Sequence, residues 1–231
     1  MKATQHRGES LDYIALEPDD YRPELPYPLV VMLHGYGSNM DDLAGLCPVV
    51  HSTGYRYVCP NAPISMQLGY GVTGHAWFSL DEGDARAVEE ARTSENRIAT
   101  LVEEVTAQYE VEPERVVLGG FSQGGMLTLQ VGLTRPEVFR GLAVLSGKFP
   151  QPEELIPRLQ AQREQSIFVS HGTADHMIAV EEGRQAVGLL KQAGYRPEYH
   201  EYEMGHQITA DVVADLSNWL GRVLPPTHLD E

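Results

Sequence analysis

Arg115-Val116-Val117-Leu118-Gly119-Gly120-Phe121-Ser122-Gln123-Gly124-Gly125-Met126-Leu127 is the stretch on which the fold turns. Its β-branched apolar start reads as a buried strand, and the residues after Ser122 open a helical pattern. Gly120-x-Ser122-x-Gly124 between a strand and a helix is the setting of a nucleophile elbow. In so tight a turn, side chains two before and two after the serine would collide, and glycine at both places removes the obstruction. Ser122 is then held out at the sheet edge in a backbone conformation that costs about 1 to 3 kcal/mol. The helix that follows directs its N-terminal N–H groups and positive dipole end toward the same place.

Outward from that turn, similar apolar runs recur at Leu29 to Leu33, Arg56 to Cys59, Leu142 to Leu145 and Ile167 to Val169. Segments of helical period lie between most of them, as in Val88, Ala91, Ile98, Leu101, Val105 and Tyr109, or Val180, Ala186, Val187 and Leu190. Strands alternating with long helices predict right-handed βαβ units, hence an α/β fold with a mostly parallel sheet covered on both faces. Ligands of such sheets bind at the carboxyl ends of the strands. The alternation breaks from Pro60 to Leu80, which reads as one long loop carrying Met66, Leu68, Tyr70, Trp77 and Phe78.

The bulk composition narrows the function. The chain has 231 residues, is 42% hydrophobic and 22% charged, and shows no repeat, so it reads as a single domain over residues 1–231. A net charge of −16, with no Lys/Arg cluster, repels phosphate backbones and anionic lipid surfaces. Neither nucleic acid nor a stable membrane association is therefore expected. The N-terminus is polar, and no run approaches the roughly 18 apolar residues of a membrane span, so the expected location is cytoplasmic. Cys47 and Cys59 then read as free thiols serving as small apolar residues. No metal-ligand spacing is present, and no metal or cofactor is expected.

A serine hydroxyl needs a base to attack at neutral pH, and after an elbow of this kind the order along the chain is Ser, acid, His. Asp175 follows the strand Ile167–Ser170 in His171-Gly172-Thr173-Ala174-Asp175, just past a strand's carboxyl end; a cap for the helix starting near Ala179 is the structural alternative. His206, in Met204-Gly205-His206-Gln207, sits in the loop after the strand holding His200, where a loop-borne base belongs. His171 and His176 lie too near Asp175 in sequence to be oriented by it toward a distant serine, and read as structural. Donors for a developing oxyanion are expected from the backbone N–H of Gln123 and of Tyr36 in His34-Gly35-Tyr36-Gly37, with Gly37 as the close alternative to Tyr36.

With these residues named, the chain resembles the carboxylesterase, phospholipase and acyl-protein thioesterase family of small α/β-hydrolases. The similar features are His34-Gly35-Tyr36-Gly37, Pro60-Asn61-Ala62-Pro63, Trp77-Phe78, Gly120 to Gly125, Leu145-Ser146-Gly147, His171 to Asp175 and Gly205-His206, in family order across nearly the whole chain. The resemblance implies the α/β-hydrolase fold, the triad Ser122, Asp175 and His206, and an enzyme that is lidless or nearly so. A small-molecule ester or thioester is the implied substrate, with acyl-protein and lysophospholipid substrates as alternatives. Departures from the family are Ser79, where Asp is usual after Trp-Phe; Tyr36, where Leu is common; and Lys148-Phe149 before Pro150. Leu68, Trp77 and Phe78 are the expected substrate contacts, with ordinary core as the alternative for each. Peptide or carbon–carbon hydrolysis and a silent hydrolase-like binding module are the rival functions, and a homodimer is left open.

Overall fold

The computed structural model describes residues 1–69, 71–80, 85–112, 114–161 and 164–227. Ten strands occur among them: β1 (Lys2–Arg7), β2 (Asp12–Glu17), β3 (Leu29–Leu33), β4 (Arg56–Pro60), β5 (Ile64–Gln67), β6 (Thr73–Ala76), β7 (Val116–Phe121), β8 (Gly141–Leu145), β9 (Ser166–Gly172) and β10 (Glu198–Tyr202). The helices are α1 (Met40–Val50), α2 (Ala85–Gln108), α3 (Gln123–Thr134), the single turn α4 (Pro152–Leu155), α5 (Val180–Gln192) and α6 (Ala210–Val223).

An eight-stranded sheet has the order β1-β2-β4-β3-β7-β8-β9-β10. From β4 to β10 neighbouring strands run parallel, while β1 and β2 are antiparallel additions at one edge. The central parallel strands β3 and β8 are apolar and buried throughout because both faces are covered, whereas β10, at the sheet edge, is polar and only partly buried. Side chains alternate across the sheet, so β3 sends Leu29, Val31 and Leu33 to one core and Val30 and Met32 to the other. The first core is closed by α2, α3 and α5 through Ile98, Leu101, Leu127, Val131, Ala186 and Leu190. The second is closed by α1 and α6 through Leu43, Cys47, Leu216 and Trp219. A one-residue slip in any central strand would swap the two cores, which pins the register.

Cys47 and Cys59 are buried free thiols with their sulfurs 3.7 Å apart, in keeping with their apolar reading. Among the described residues no helix is long and apolar enough to cross a membrane.

Two features depart from the expectation. β1 and β2 lie ahead of Leu29–Leu33, the first strand that the apolar runs predict. β1 is almost wholly exposed and polar, so it carries no hydrophobic alternation to betray it. The stretch from Pro60 to Leu80 is not one loop: β5 and β6 pair as a hairpin, Ile64 opposite Ala76 and Gln67 opposite Thr73. Gly69 and Gly71, at φ of 93° and 78°, turn the chain between them.

Candidate active site

The parallel strands bring the loops after β3, β7, β9 and β10 to one edge, and the candidate residues stand there. Ser122 lies between β7 and α3 at φ 55°, ψ −117°, a conformation that non-glycine residues rarely adopt. Its surroundings explain the glycines. A Cβ on Gly120 would lie 2.4 Å from the Gly124 carbonyl carbon, and one on Gly124 would lie 2.0 Å from the Leu33 carbonyl oxygen. The second clash is with β3 rather than with the turn itself, so Gly124 lets the elbow close onto the neighbouring strand.

His206 Nε2 is 2.9 Å from Ser122 Oγ, and His206 Nδ1 is 2.7 Å from Asp175 Oδ2. The three groups expected from sequence thus form one hydrogen-bonded chain. Asp175 has a fully buried side chain, and its second oxygen accepts from Met177 N (2.8 Å) and Ile178 N (2.9 Å). Burial alone would raise its pKa, but the bond from His206 and the two backbone donors outweigh that and hold the carboxyl below its ordinary range. Asp175 does not cap α5, whose N-cap is Ala179 with no side-chain cap bond; its bonds from Met177 N and Ile178 N close the turn ahead of that helix and fix the carboxylate plane for His206. The ring of Phe121 lies 4.8 Å from that of His206. His171 is buried with Nε2 2.8 Å from Ile178 O and 3.6 Å from Asp175 Oδ2, so it braces the turn that holds the carboxylate. His176 makes no part of the chain and is exposed.

The loop after β3 lies against the elbow: a Cβ on Gly35 would sit 3.5 Å from Ser122 Cβ. Of its N–H groups, Gly37 donates to His75 O (2.8 Å) and Ser38 to Gly35 O (3.2 Å), whereas Tyr36 N bonds to no described residue. Of the two alternatives, Gly37 N is thus engaged and Tyr36 N is not. Gln123, first residue of α3, likewise has no intrahelical acceptor for its N–H. Both residues line one cleft with Ser122 and His206.

His34 anchors this loop. It is completely buried, 2.7 Å from Gly35 O through Nδ1, while Nε2 accepts from Ala62 N at 3.1 Å. Only the neutral ring with its proton on Nδ1 satisfies both partners. Burial drives its pKa down to about 4, against the pull of Gly35 O. In the unfolded chain histidine titrates near 6.5, so the stabilisation is complete above pH 6.5 and is lost as the pH falls toward 4. The loss amounts to about 3 kcal/mol by pH 4. Urea unfolding of wild type and His34→Gln should therefore give stabilities that converge between pH 7 and 4.5; a gap independent of pH would contradict this.

The cleft has a volume of about 730 Å³, with Phe78, Leu80, Met126, Phe149, Ile178 and Leu189 as apolar walls. Ser38, Asp42, Ser79, Lys148, Gln151 and Glu182 supply its polar rim. Phe78 is where a substrate contact was expected. Leu68 and Trp77 are not. Leu68, 50% exposed, sits at the hairpin turn outside the cleft lining. Trp77 is 0% exposed, because its ring packs in the core under the sheet edge and its Nε1 donates to His34 O at 2.9 Å. Met66, on β5, is also outside the lining, and Tyr70 lies outside the described residues. Met126 on α3 and Leu189 on α5 carry no sequence signal of the cleft, since helix-borne apolar residues facing a cleft have the same spacing as those facing a core, and Ile178 is a lone apolar residue in the turn before α5.

A hydrogen-bonded Ser-His-Asp chain, its carboxylate buried and its serine and imidazole facing a cleft, at the carboxyl edge of a parallel sheet beside a nucleophile elbow defines the class: this is a serine hydrolase of the α/β-hydrolase fold. The sequence profile described as "Phospholipase/Carboxylesterase" matches residues 23–224, and the chain belongs to that family. It is 31% identical over 222 residues to "Acyl-protein thioesterase 1" of Mycosarcoma maydis, covering 87% of this chain and 92% of the relative. Crystal structures of "esterase PE8" (TM-score 0.76, 26% identity, 97% of this chain and 100% of that one) and of Arabidopsis thaliana SOBER1 (TM-score 0.75, 27% identity, 86% and 99%) are similar throughout.

Proposed function

We propose that this enzyme hydrolyses carboxylic esters through an acyl-enzyme formed on Ser122. The single observation that carries the reading is the 2.9 Å and 2.7 Å hydrogen-bond chain from Ser122 through His206 to Asp175. His206 Nε2 takes the Ser122 proton as Oγ attacks the carbonyl carbon, and Asp175 stabilises the imidazolium so formed. The negative charge moves to the carbonyl oxygen, where the N–H groups of Tyr36 and Gln123 receive it. Collapse expels the alcohol, protonated by His206. A water activated by the same imidazole then releases the acid.

Thioester cleavage follows the same steps with a thiol as leaving group, and the similarity to a protein named acyl-protein thioesterase 1 supports that second reading. Amides demand protonation of a far more basic leaving group, so matched ester, thioester and amide substrates separate these readings from peptide hydrolysis.

The apolar walls lead us to expect chain-length dependence. Each methylene buried against Phe78, Met126 and Leu189 contributes about 0.8 kcal/mol, or about fourfold in kcat/KM. Along p-nitrophenyl esters from acetate to decanoate, kcat/KM should climb and then level off once the wall is filled. A profile flat from the first member would remove the acyl pocket, and faster turnover of amides would remove the ester reading.

A further inference from the structure

Trp77 and the side chain of Gln123 have no substrate to touch, yet they form a connected set of bonds next to the reacting atoms. Trp77 N donates to Gln123 Oε1 at 2.8 Å, and Gln123 Nε2 donates to Phe78 O at 2.7 Å. The Gln123 amide thus reads the strap at two successive residues, and Gln123 itself is 2% exposed. Trp77 Nε1 reaches the other way, to His34 O in the loop after β3. Two residues earlier, the backbone of His75 bridges that loop on both sides, its carbonyl accepting from Gly37 N and its N–H donating to Ser38 O at 2.7 Å. Ser94 Oγ holds the far side of the strap through Trp77 O at 2.6 Å. The approach is close enough that a Cβ on Gly74 would lie 2.1 Å from Gly37 O, which accounts for glycine there.

The strap from His75 to Phe78 is therefore bonded both to the loop that carries Tyr36 and to the residue whose N–H is the second oxyanion donor. Those donors come from separate elements, the turn after β3 and the start of α3. A pair of donors is effective only when both are fixed before charge develops, and misplacement by about 1 Å costs on the order of 100-fold. We propose that Trp77 and the Gln123 side chain are positioning residues that lock the two oxyanion donors to each other through this strap. The inference rests on the ester-hydrolase reading of Ser122 and adds to it a role for two side chains that never contact the substrate.

The test uses Trp77→Phe, which keeps an aromatic ring but removes the donor to His34 O, and Gln123→Met, which keeps length and removes both amide bonds. With p-nitrophenyl acetate, kcat should fall about 10- to 100-fold in each, with KM within about threefold of wild type. A trifluoromethyl ketone adds Ser122 Oγ to its carbonyl carbon, passes the serine proton to His206 and leaves an oxyanion on the former carbonyl. Its inhibition constant should rise in the proportion by which kcat/KM falls, a correspondence that loosened packing alone would not produce. Where Trp77→Phe fails to fold, Gln123→Met decides. A folded variant that keeps kcat within about twofold, or that raises KM alone, overturns the inference and leaves the strap as an ordinary wall. Ser122→Ala separates the two levels. If it is inactive while both strap variants run at full kcat, only the positioning role falls; if it stays active, the reading beneath falls as well.

Discussion

Ser122→Ala should lower kcat for a p-nitrophenyl ester by about 10⁴-fold or more while leaving the protein folded. The size of the effect follows from the lack of a substitute among the described residues. Ser38 and Ser79 line the same cleft, but Ser38 Oγ donates to Asp42 Oδ2 at 2.9 Å and Ser79 Oγ donates to Glu90. Neither faces the imidazole, so neither hydroxyl can give its proton to His206 as it attacks. What remains in the variant is the polarisation of a bound ester by the two backbone N–H groups, which sustains a small residual rate over water. A progress curve showing an initial burst in the wild type and none in the variant would check the covalent step as well as the rate.

Asp175→Asn should cost nearly as much, about 10⁴-fold in kcat, although it changes the shape of the site hardly at all. The reason lies in the two oxygens of Asp175. Asparagine can keep its carbonyl oxygen on Met177 N and Ile178 N, where the wild-type Oδ1 accepts at 2.8 and 2.9 Å. Its amide NH₂ then faces His206 Nδ1, where Oδ2 stood at 2.7 Å. The imidazole must accept there, so its proton moves to Nε2 and it presents a donor to Ser122 instead of an acceptor. The base is lost through the wrong tautomer rather than through disorder. Accordingly, the thermal midpoint should move far less than the rate, and partial recovery of the rate as pH rises would reflect direct ionisation of the serine. An Asn variant with a rate near wild type would mean that Asp175 serves only the turn before α5.

The three residues of the hydrogen-bonded chain were legible because each announces itself locally. Ser122 stands in a glycine-framed turn between a strand and a helix, and Asp175 and His206 each follow a strand by a few residues. Topology then does the rest, since parallel strands carry all of those turns to one edge. The choice between Tyr36 and Gly37 was not legible: it depends on which N–H the hairpin strand β6 consumes, a contact between distant segments. Trp77 was misread for a related reason. A large aromatic in a glycine-rich stretch has the composition of a pocket wall, but here its indole N–H has a buried carbonyl to meet, so the whole ring can leave solvent. Leu68 shows the converse, an apolar residue left half-exposed beside the hairpin turn, its side chain lying over Gly37 and Gly74 rather than in the cleft. β1 escaped because an exposed, polar edge strand lacks the alternation that marks a strand; β2, with Tyr13 to Leu16 buried between β1 and β4, carries a short apolar run that the expected strands leave out.

The central claim is that one serine hydroxyl, activated by His206, is the nucleophile. It is tested most directly by treating the native protein with a fluorophosphonate and locating the adduct by peptide mass spectrometry. A single modification on Ser122, absent from protein unfolded before treatment, is the predicted result; a native enzyme that hydrolyses esters yet carries no adduct, or carries it on another residue, would contradict it.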